Sequence, residues 1–306
     1  MSALRLGTRG SALARAQSST VAAALGELGR KVELVEISTA GDRSSEAIAT
    51  LGGTGVFVSA LRDALLAGEI DLAVHSYKDL PTAPAAELAI AAVPRREDPR
   101  DVLVARDGLT LAGLVVGATV GTGSPRRIAQ LHALGYGLVP VPIRGNVDTR
   151  LGKVVAGEVD AVVLARAGLA RLDRLDAVTE TLDPLQMLPA PAQGALAVEC
   201  RAGDSELRGL LATLDHQDTR AAVTAERALL AALEAGCTAP VGALAEVADG
   251  EDGLELFLRG SVTAVDGSDA VRLSATGPVN TAESIGRRLA AELIADGASE
   301  LLGSTR

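Results

Sequence analysis

The chain has 306 residues, a formal net charge of -10, 48% hydrophobic residues and only 1% aromatics. That predicts two or three domains with cores of Ala, Val, Leu and Ile, and the acidic balance without aromatic platforms excludes a general DNA or RNA binder. No apolar run reaches the roughly 18 residues of a membrane span, the N-terminus has no signal-peptide core, Cys200 and Cys237 form no Cys-x-x-Cys, and the histidines are scattered, so a cytoplasmic protein without a metal centre or membrane partner is expected.

Residues 4–8 read as a strand leading into a helix with Val21, Ala24, Leu25 and Leu28 on one face. A strand at 32–37 follows, then a Gly/Ser/Thr-rich stretch at 41–55 that reads as a long mobile loop. A helix at 56–66 and a buried strand at 70–74 come next, and the strand–helix alternation argues for an α/β fold. Two segments, charged 95–101 and proline-containing 188–194, look like hinges. They are either ordinary interdomain loops or the double crossing of a chain that leaves one domain, builds a second and returns, leaving a cleft that can close. Strands are expected at 115–120 and 161–164 between them, and at 195–198 beyond them. From Asp218, a possible helix cap, Leu229, Leu230 and Leu233 share one helix side and Gly236 reads as its stop. Strands at 254–262 and 270–275 precede a last helix opened by a capping box of Asn280 and Glu283, with Ile285, Leu289 and Leu293 on one face. The expected domains are 1–95 with 193–215, then 100–188, and a C-terminal 218–306.

The segment Val120-Gly121-Thr122-Gly123-Ser124-Pro125-Arg126-Arg127 carries the most chemistry. A strand, a tight turn and a helix opened by Pro125, with Ser124 as N-cap, make an anion site, to which the two arginines add permanent charge. Arg9, Arg144, Arg150 and Arg171 also sit beside turns. Each alone reads first as a solvated surface residue, but six together favour a cleft for a small polyanion. Ser11 offers a second helix cap. Asp79 falls just past the end of a buried strand, where open α/β sheets bind ligands. It is either a turn residue before Leu80-Pro81 or a carboxylate that steadies a cation or moves a proton, with Lys78 as partner or anion contact. Cys200 reads as core. Cys237 is either a small buried hydrophobe or an approachable thiol at the negative end of a helix. There is no complete dinucleotide fingerprint, phosphate loop or hydrolase elbow.

The pieces resemble the porphobilinogen deaminase (hydroxymethylbilane synthase) family. The matching motifs run in order: Gly7-Thr8-Arg9-Gly10-Ser11, Ala40-Gly41-Asp42, Gly52 to Val58, His75-Ser76-Tyr77-Lys78-Asp79-Leu80-Pro81, Arg96 to Asp101, Gly121 to Arg127, Arg144-Gly145-Asn146-Val147-Asp148-Thr149-Arg150, Ala167 to Leu172, Pro191 to Ala195, and Gly236-Cys237. The resemblance implies three α/β domains, the first two like a periplasmic binding protein around a hinged cleft. It implies a dipyrromethane cofactor thioether-linked to Cys237. It implies head-to-tail condensation of four porphobilinogen units into hydroxymethylbilane, each addition losing ammonia through an electrophilic methylene pyrrolenine. Asp79 matches the catalytic carboxylate. Lys78, Asp79, Thr122, Ser124, Arg126, Arg127, Arg144, Gly145 and Arg150 match cofactor-binding positions; Arg9, Ser11, Arg150 and Arg171 match substrate-binding ones. A monomer is expected. Thr54 and Ala40 stand where many relatives carry lysine and arginine, which removes charge from the loop, and Tyr77 stands where many have methionine. The competing expectation is a non-catalytic solute-binding module on the same two-lobed scaffold, which would need neither Asp79 nor Cys237.

Overall fold

The computed structural model describes residues 3–37, 55–235, 239–250 and 253–303. In chain order its elements are β1 (Leu4–Thr8), α1 (Ala12–Glu27), β2 (Val32–Glu36), α2 (Gly55–Leu66), β3 (Leu72–Ser76), β4 (Leu88–Ala92) and β5 (Asp101–Ala105). There follow β6 (Thr119–Gly121), α3 (Pro125–Ala133), β7 (Val139–Val141), α4 (Val147–Val155), β8 (Ala161–Ala165), α5 (Arg166–Arg171) and β9 (Glu180–Thr181). The last third holds β10 (Leu196–Arg201), α6 (Ser205–Leu211), α7 (Gln217–Ala232), β11 (Val241–Gly250), β12 (Gly253–Thr263), β13 (Ala270–Pro278), α8 (Ala282–Ala295) and α9 (Ala298–Gly303). The mobile loop expected at 41–55 lies outside the described residues, apart from Gly55 at the start of α2.

The elements form two units, 1–96 with 195–220, and 97–194 with 221–306. Unit 1 contains a five-stranded sheet of order β2-β1-β3-β10-β4. Its first three strands are parallel, and β10 runs antiparallel to both of its neighbours. Leu6, Val21, Leu25, Leu72, Val74 and Val198 fill one face, and Leu61, Leu65, Ile70 and Ala73 the other. A parallel sheet covered on both faces needs apolar side chains at successive positions, which is why β3 reads as a continuous buried run.

Unit 2 contains a second five-stranded sheet of order β7-β6-β8-β5-β9, with β5 antiparallel to β8. The two orders are equivalent: second, first and third strand of the lobe, then a strand arriving from the other lobe, then the last. Unit 2 also holds the antiparallel sheet β11-β12-β13, whose core includes Leu229, Leu256, Leu258, Ile285, Leu289 and Leu293 from α7, α8 and the sheet. Three α/β domains, each with its own sheet and core, result.

Several local expectations need correcting. The expected strand at 115–120 shrinks to β6, because Val115 and Val116 are 73% and 83% exposed in the approach to it. Leu28 is not on the buried face of α1; it caps the helix and is exposed. Asp218 lies inside the first turn of α7, and the ring nitrogen Nδ1 of His216 accepts the Thr219 N–H in its place. Asn280 and Glu283 make no capping box: Asn280 sits in a 3-10 turn, and Glu283 pairs with Arg287 at 2.5 Å. The segment 188–194, expected as a hinge, is packed in this structure. It is buried apart from Ala190, and several of its backbone groups are hydrogen-bonded. The Leu188 carbonyl accepts from Arg126 and Gln130, the Pro189 carbonyl from Ala243 N–H, and the Gly194 carbonyl from Glu97 N–H and Arg171. The Gly236 helix stop lies outside the described residues.

Candidate functional site: two strand edges

In unit 1, β1 and β3 are parallel neighbours with Leu6 beside Leu72 and Gly7 beside Ala73, so both end at one sheet edge. Beyond β1 comes half-buried Arg9, then Ser11, which caps α1 by accepting the Ala14 N–H at 3.3 Å. Beyond β3 the chain enters a 3-10 turn, Tyr77–Asp79, with Lys78 and Asp79 both half-buried. The turn is pinned at both ends. Gln17 of α1 donates to the Ser76 hydroxyl at 2.9 Å, and Tyr77 N–H donates to the Ala195 carbonyl at 3.0 Å. Buried Leu80 packs against Val58 and Ala197. Asp79 is thus a carboxylate held in place without being enclosed.

Behind the turn lies a polar group that sequence reasoning missed. Glu199 of β10 is 1% exposed; it accepts from Arg62 of α2 at 2.8 Å and lies 3.2 Å from the His75 Nε2. Burial works against its charge, but His75 and Arg62 prevail and hold its carboxyl below the usual range. A glutamate inside an otherwise apolar strand, Leu196-Ala197-Val198-Glu199-Cys200, was the available signal.

In unit 2, the parallel strands β6, β7 and β8 also end at one edge. Thr122 to Arg127 follow β6, Arg144 to Arg150 follow β7, and Arg171 ends the helix after β8. Buried Thr122 accepts the Ser124 N–H on its hydroxyl at 3.2 Å. Ser124 is the N-cap residue of α3, as expected, but its hydroxyl makes no cap bond. Arg144 is exposed. Arg150 is half-buried and donates Nε to the Gly145 carbonyl at 2.9 Å. Gly145 has φ +107°, and a Cβ there would lie 2.7 Å from the Thr149 methyl, so only glycine fits. Burial, then the charge of Arg127, push the Arg150 guanidinium below its ordinary range. Arg171 donates Nη2 to the Gly194 carbonyl at 2.6 Å. Burial lowers its guanidinium too, against the pull of Glu97.

Arg126 and Arg127 require a correction. They are not two uncommitted charges at a helix start. Both are buried, and each donates Nη2 at 2.7 Å to a different oxygen of Asp101, the fully buried first residue of β5. Their Nη1 groups go to the Leu188 and Val163 carbonyls. Burial opposes charge on Asp101, yet the two guanidinium groups outweigh it and hold its carboxyl far below the usual range. Asp101 also escaped sequence reasoning, though an acid opening the apolar run Val102-Leu103-Val104 signals a buried counter-charge.

Cys237 lies outside the described residues, between Ala235 and Ala239. Cys200 is buried, and burial, reinforced by Asp204, pushes its thiol up to about 11.

Residues 4–209 match the family model of the porphobilinogen deaminase dipyrromethane cofactor binding domain, and residues 220–295 that of the porphobilinogen deaminase C-terminal domain. The chain belongs to the porphobilinogen deaminase family. Porphobilinogen deaminase of Mycobacterium bovis (strain BCG / Pasteur 1173P2) is 63% identical over 99% of this chain and 99% of its own length. That of Mycobacterium marinum is 62% identical over 98% and 96%. Among solved structures, the second substrate binding domain of a putative amino acid ABC transporter from Streptococcus pneumoniae aligns at TM-score 0.43 and 15% identity, over 69% of this chain and 91% of that one. The full-length match removes the expectation of a non-catalytic binding module.

A dipyrromethane carries acetate and propionate groups on its pyrroles, and the unit 2 edge offers donors for carboxylates. The buried Nε–H groups of Arg126 and Arg127 find no acceptor among the described residues. Beside them are the Ser124 hydroxyl, which makes no cap bond, and the start of a nine-residue helix. Such donors suit carboxylates.

Proposed function

We propose that Cys237 bears the dipyrromethane through a thioether, that the two strand edges bind its carboxylates and those of porphobilinogen, and that Asp79 is the catalytic carboxylate. The enzyme condenses four porphobilinogen units head to tail into hydroxymethylbilane, with loss of ammonia at each addition, in tetrapyrrole biosynthesis. The observation that carries the site reading is topological. The parallel strands of each five-stranded sheet deliver their following residues to one edge, and those residues include Arg9, Arg126, Arg127, Arg144, Arg150 and Arg171.

The dipyrromethane, when bound, supplies the pyrrole carbon to which the first substrate unit is joined. Arg126, Arg127, Arg144 and Arg150, with Thr122 and Ser124, hold carboxylates at the unit 2 edge, and Gly145 allows the close turn that aims Arg150. Arg9, Ser11, Arg150 and Arg171 orient the incoming porphobilinogen. Guanidinium groups suit this work because they keep their charge when partly desolvated. Asp79 accepts the pyrrole N–H of the substrate and offsets the positive charge that builds as ammonia departs, with Lys78 beside it as an anion contact. The carboxylate also takes up the proton that the condensed pyrrole carbon sheds. The activity is assigned to a cytoplasmic monomer, which size-exclusion chromatography with light scattering checks at one chain mass.

Intact mass spectrometry of the protein beside Cys237→Ala tests the reading. A dipyrromethane adduct on the parent chain alone, lengthened stepwise by porphobilinogen, is expected. A parent chain that stays unmodified with substrate present overturns the anchor.

A further inference from the structure

We infer that Asp101 is a positioning residue of the unit 2 anion site: it fixes the guanidinium groups of Arg126 and Arg127 and stands in for a ligand carboxylate until one arrives. The inference rests on the proposed reading that these arginines face the cofactor's carboxylates.

Three donors converge on this one carboxylate. Oδ1 accepts from Arg127 at 2.7 Å and from Gln193 at 2.9 Å, and Oδ2 accepts from Arg126 at 2.7 Å. Two arginines side by side in a buried site repel each other, and an anion must lie between them. Asp101 is that anion, and it leaves the trio with a single net positive charge. The geometry also leaves one donor of each arginine over. Nη2 is turned to Asp101 and Nη1 to the backbone carbonyls of Leu188 and Val163, so the buried Nε is the group left without an acceptor among the described residues.

The carboxylate also reaches beyond the arginines. Gln193 donates to Asp101 and, at 2.7 Å, to the Pro99 carbonyl, so the outgoing and returning chain segments of unit 2 meet on the same group. Burial lowers the Arg126 guanidinium, Asp101 opposes that, and Arg127 adds to it, which is the balance a shared counter-ion produces.

A stand-in differs from a purely structural acid in one measurable respect. Its removal costs most when no ligand carboxylate is present, because a bound carboxylate takes over the neutralisation. The test is a thermodynamic cycle on four proteins: the parent, Asp101→Asn, Cys237→Ala and the double variant, with cofactor loading read by intact mass. The expected result is a fall in Tm from Asp101→Asn that is at least about 5 °C larger in the Cys237→Ala background than in the loaded one. A folded Asp101→Asn chain that never gains the cofactor mass also supports the inference, because the arginines have then lost their register. Normal loading with equal falls in both backgrounds overturns it.

If Asp101→Asn does not fold, Arg127→Met is added to it, so that both charges of a pair are gone. Recovery of soluble protein supports the charge argument, and no recovery overturns it. A parent chain without any adduct fails the underlying cofactor reading instead, and the inference falls with it.

Discussion

Asp101 is enclosed between two guanidinium groups, whereas Asp79 stands half-exposed on a short turn that its neighbours hold in place. The first environment suits a permanent charge and the second suits chemistry. Asp79→Ala is therefore expected to lower kcat by roughly 10²–10⁴-fold while the cofactor mass stays on the protein; activity near that of the parent would sink the assignment. The cysteines separate in the same way. Cys200 has no exposure, and its thiol is raised to about 11, so the native Cys237→Ala chain is expected to resist alkylation by iodoacetamide at pH 8. Modification of Cys200 without denaturant would contradict the burial. Asp79 was legible because position alone, just after a buried strand, marks it. Asp101 was not, because its meaning depends on arginines more than twenty residues downstream that only the strand pairing brings to it.

Short elements with strong punctuation carried over well from sequence to structure. β1 begins and ends where the pattern places it, Ser11 caps α1, and the Ile285, Leu289 and Leu293 stripe of α8 is buried. Misreadings came where composition imitates another state. Val115 and Val116 look like strand but sit exposed before β6, and the Ala- and Gly-rich Val241–Gly250 hides β11, whose pairing with β12 rather than its own propensity makes it a strand. The hydrogen bonds of the proline-containing 188–194 were not legible, because their partners are distant in sequence. Two element-scale tests follow. Ser11→Ala removes the acceptor for Ala14 N–H and should cost about 1 kcal/mol by chemical denaturation. Gly194→Ala should cost more, about 1–3 kcal/mol, because φ is +87° and the new Cβ would lie 2.5 Å from the Glu97 carbonyl oxygen; a neutral outcome would mean that the crossing yields easily.

Across the whole molecule, carboxylates are held below their ordinary range in both units: Asp71 and Glu199 in one, Asp98, Asp101 and Asp160 in the other. For each, the folded chain prefers the charged form more than the unfolded chain does. Their contribution is fully present above the unfolded values near about 4 and is lost as pH falls through the lower folded values. Tm should therefore be flat between about pH 5 and 7 and fall steeply below about pH 4. A Tm that held or rose under acid would contradict these pairings.

The interleaving of β5 and β10 also governs how the chain can be made. In the first sheet β10 lies between β3 and β4, so β4 has no strand partner until residues 196–201 have been synthesised. The whole second sheet is translated in that interval. The first lobe cannot finish folding as it leaves the ribosome; it must wait with an open edge at β3. Pairings so far apart in sequence also fold slowly. A nascent chain stalled before residue 195 should therefore be far more sensitive to protease than one released after residue 220, which places the fragile moment of this enzyme's life in its biosynthesis.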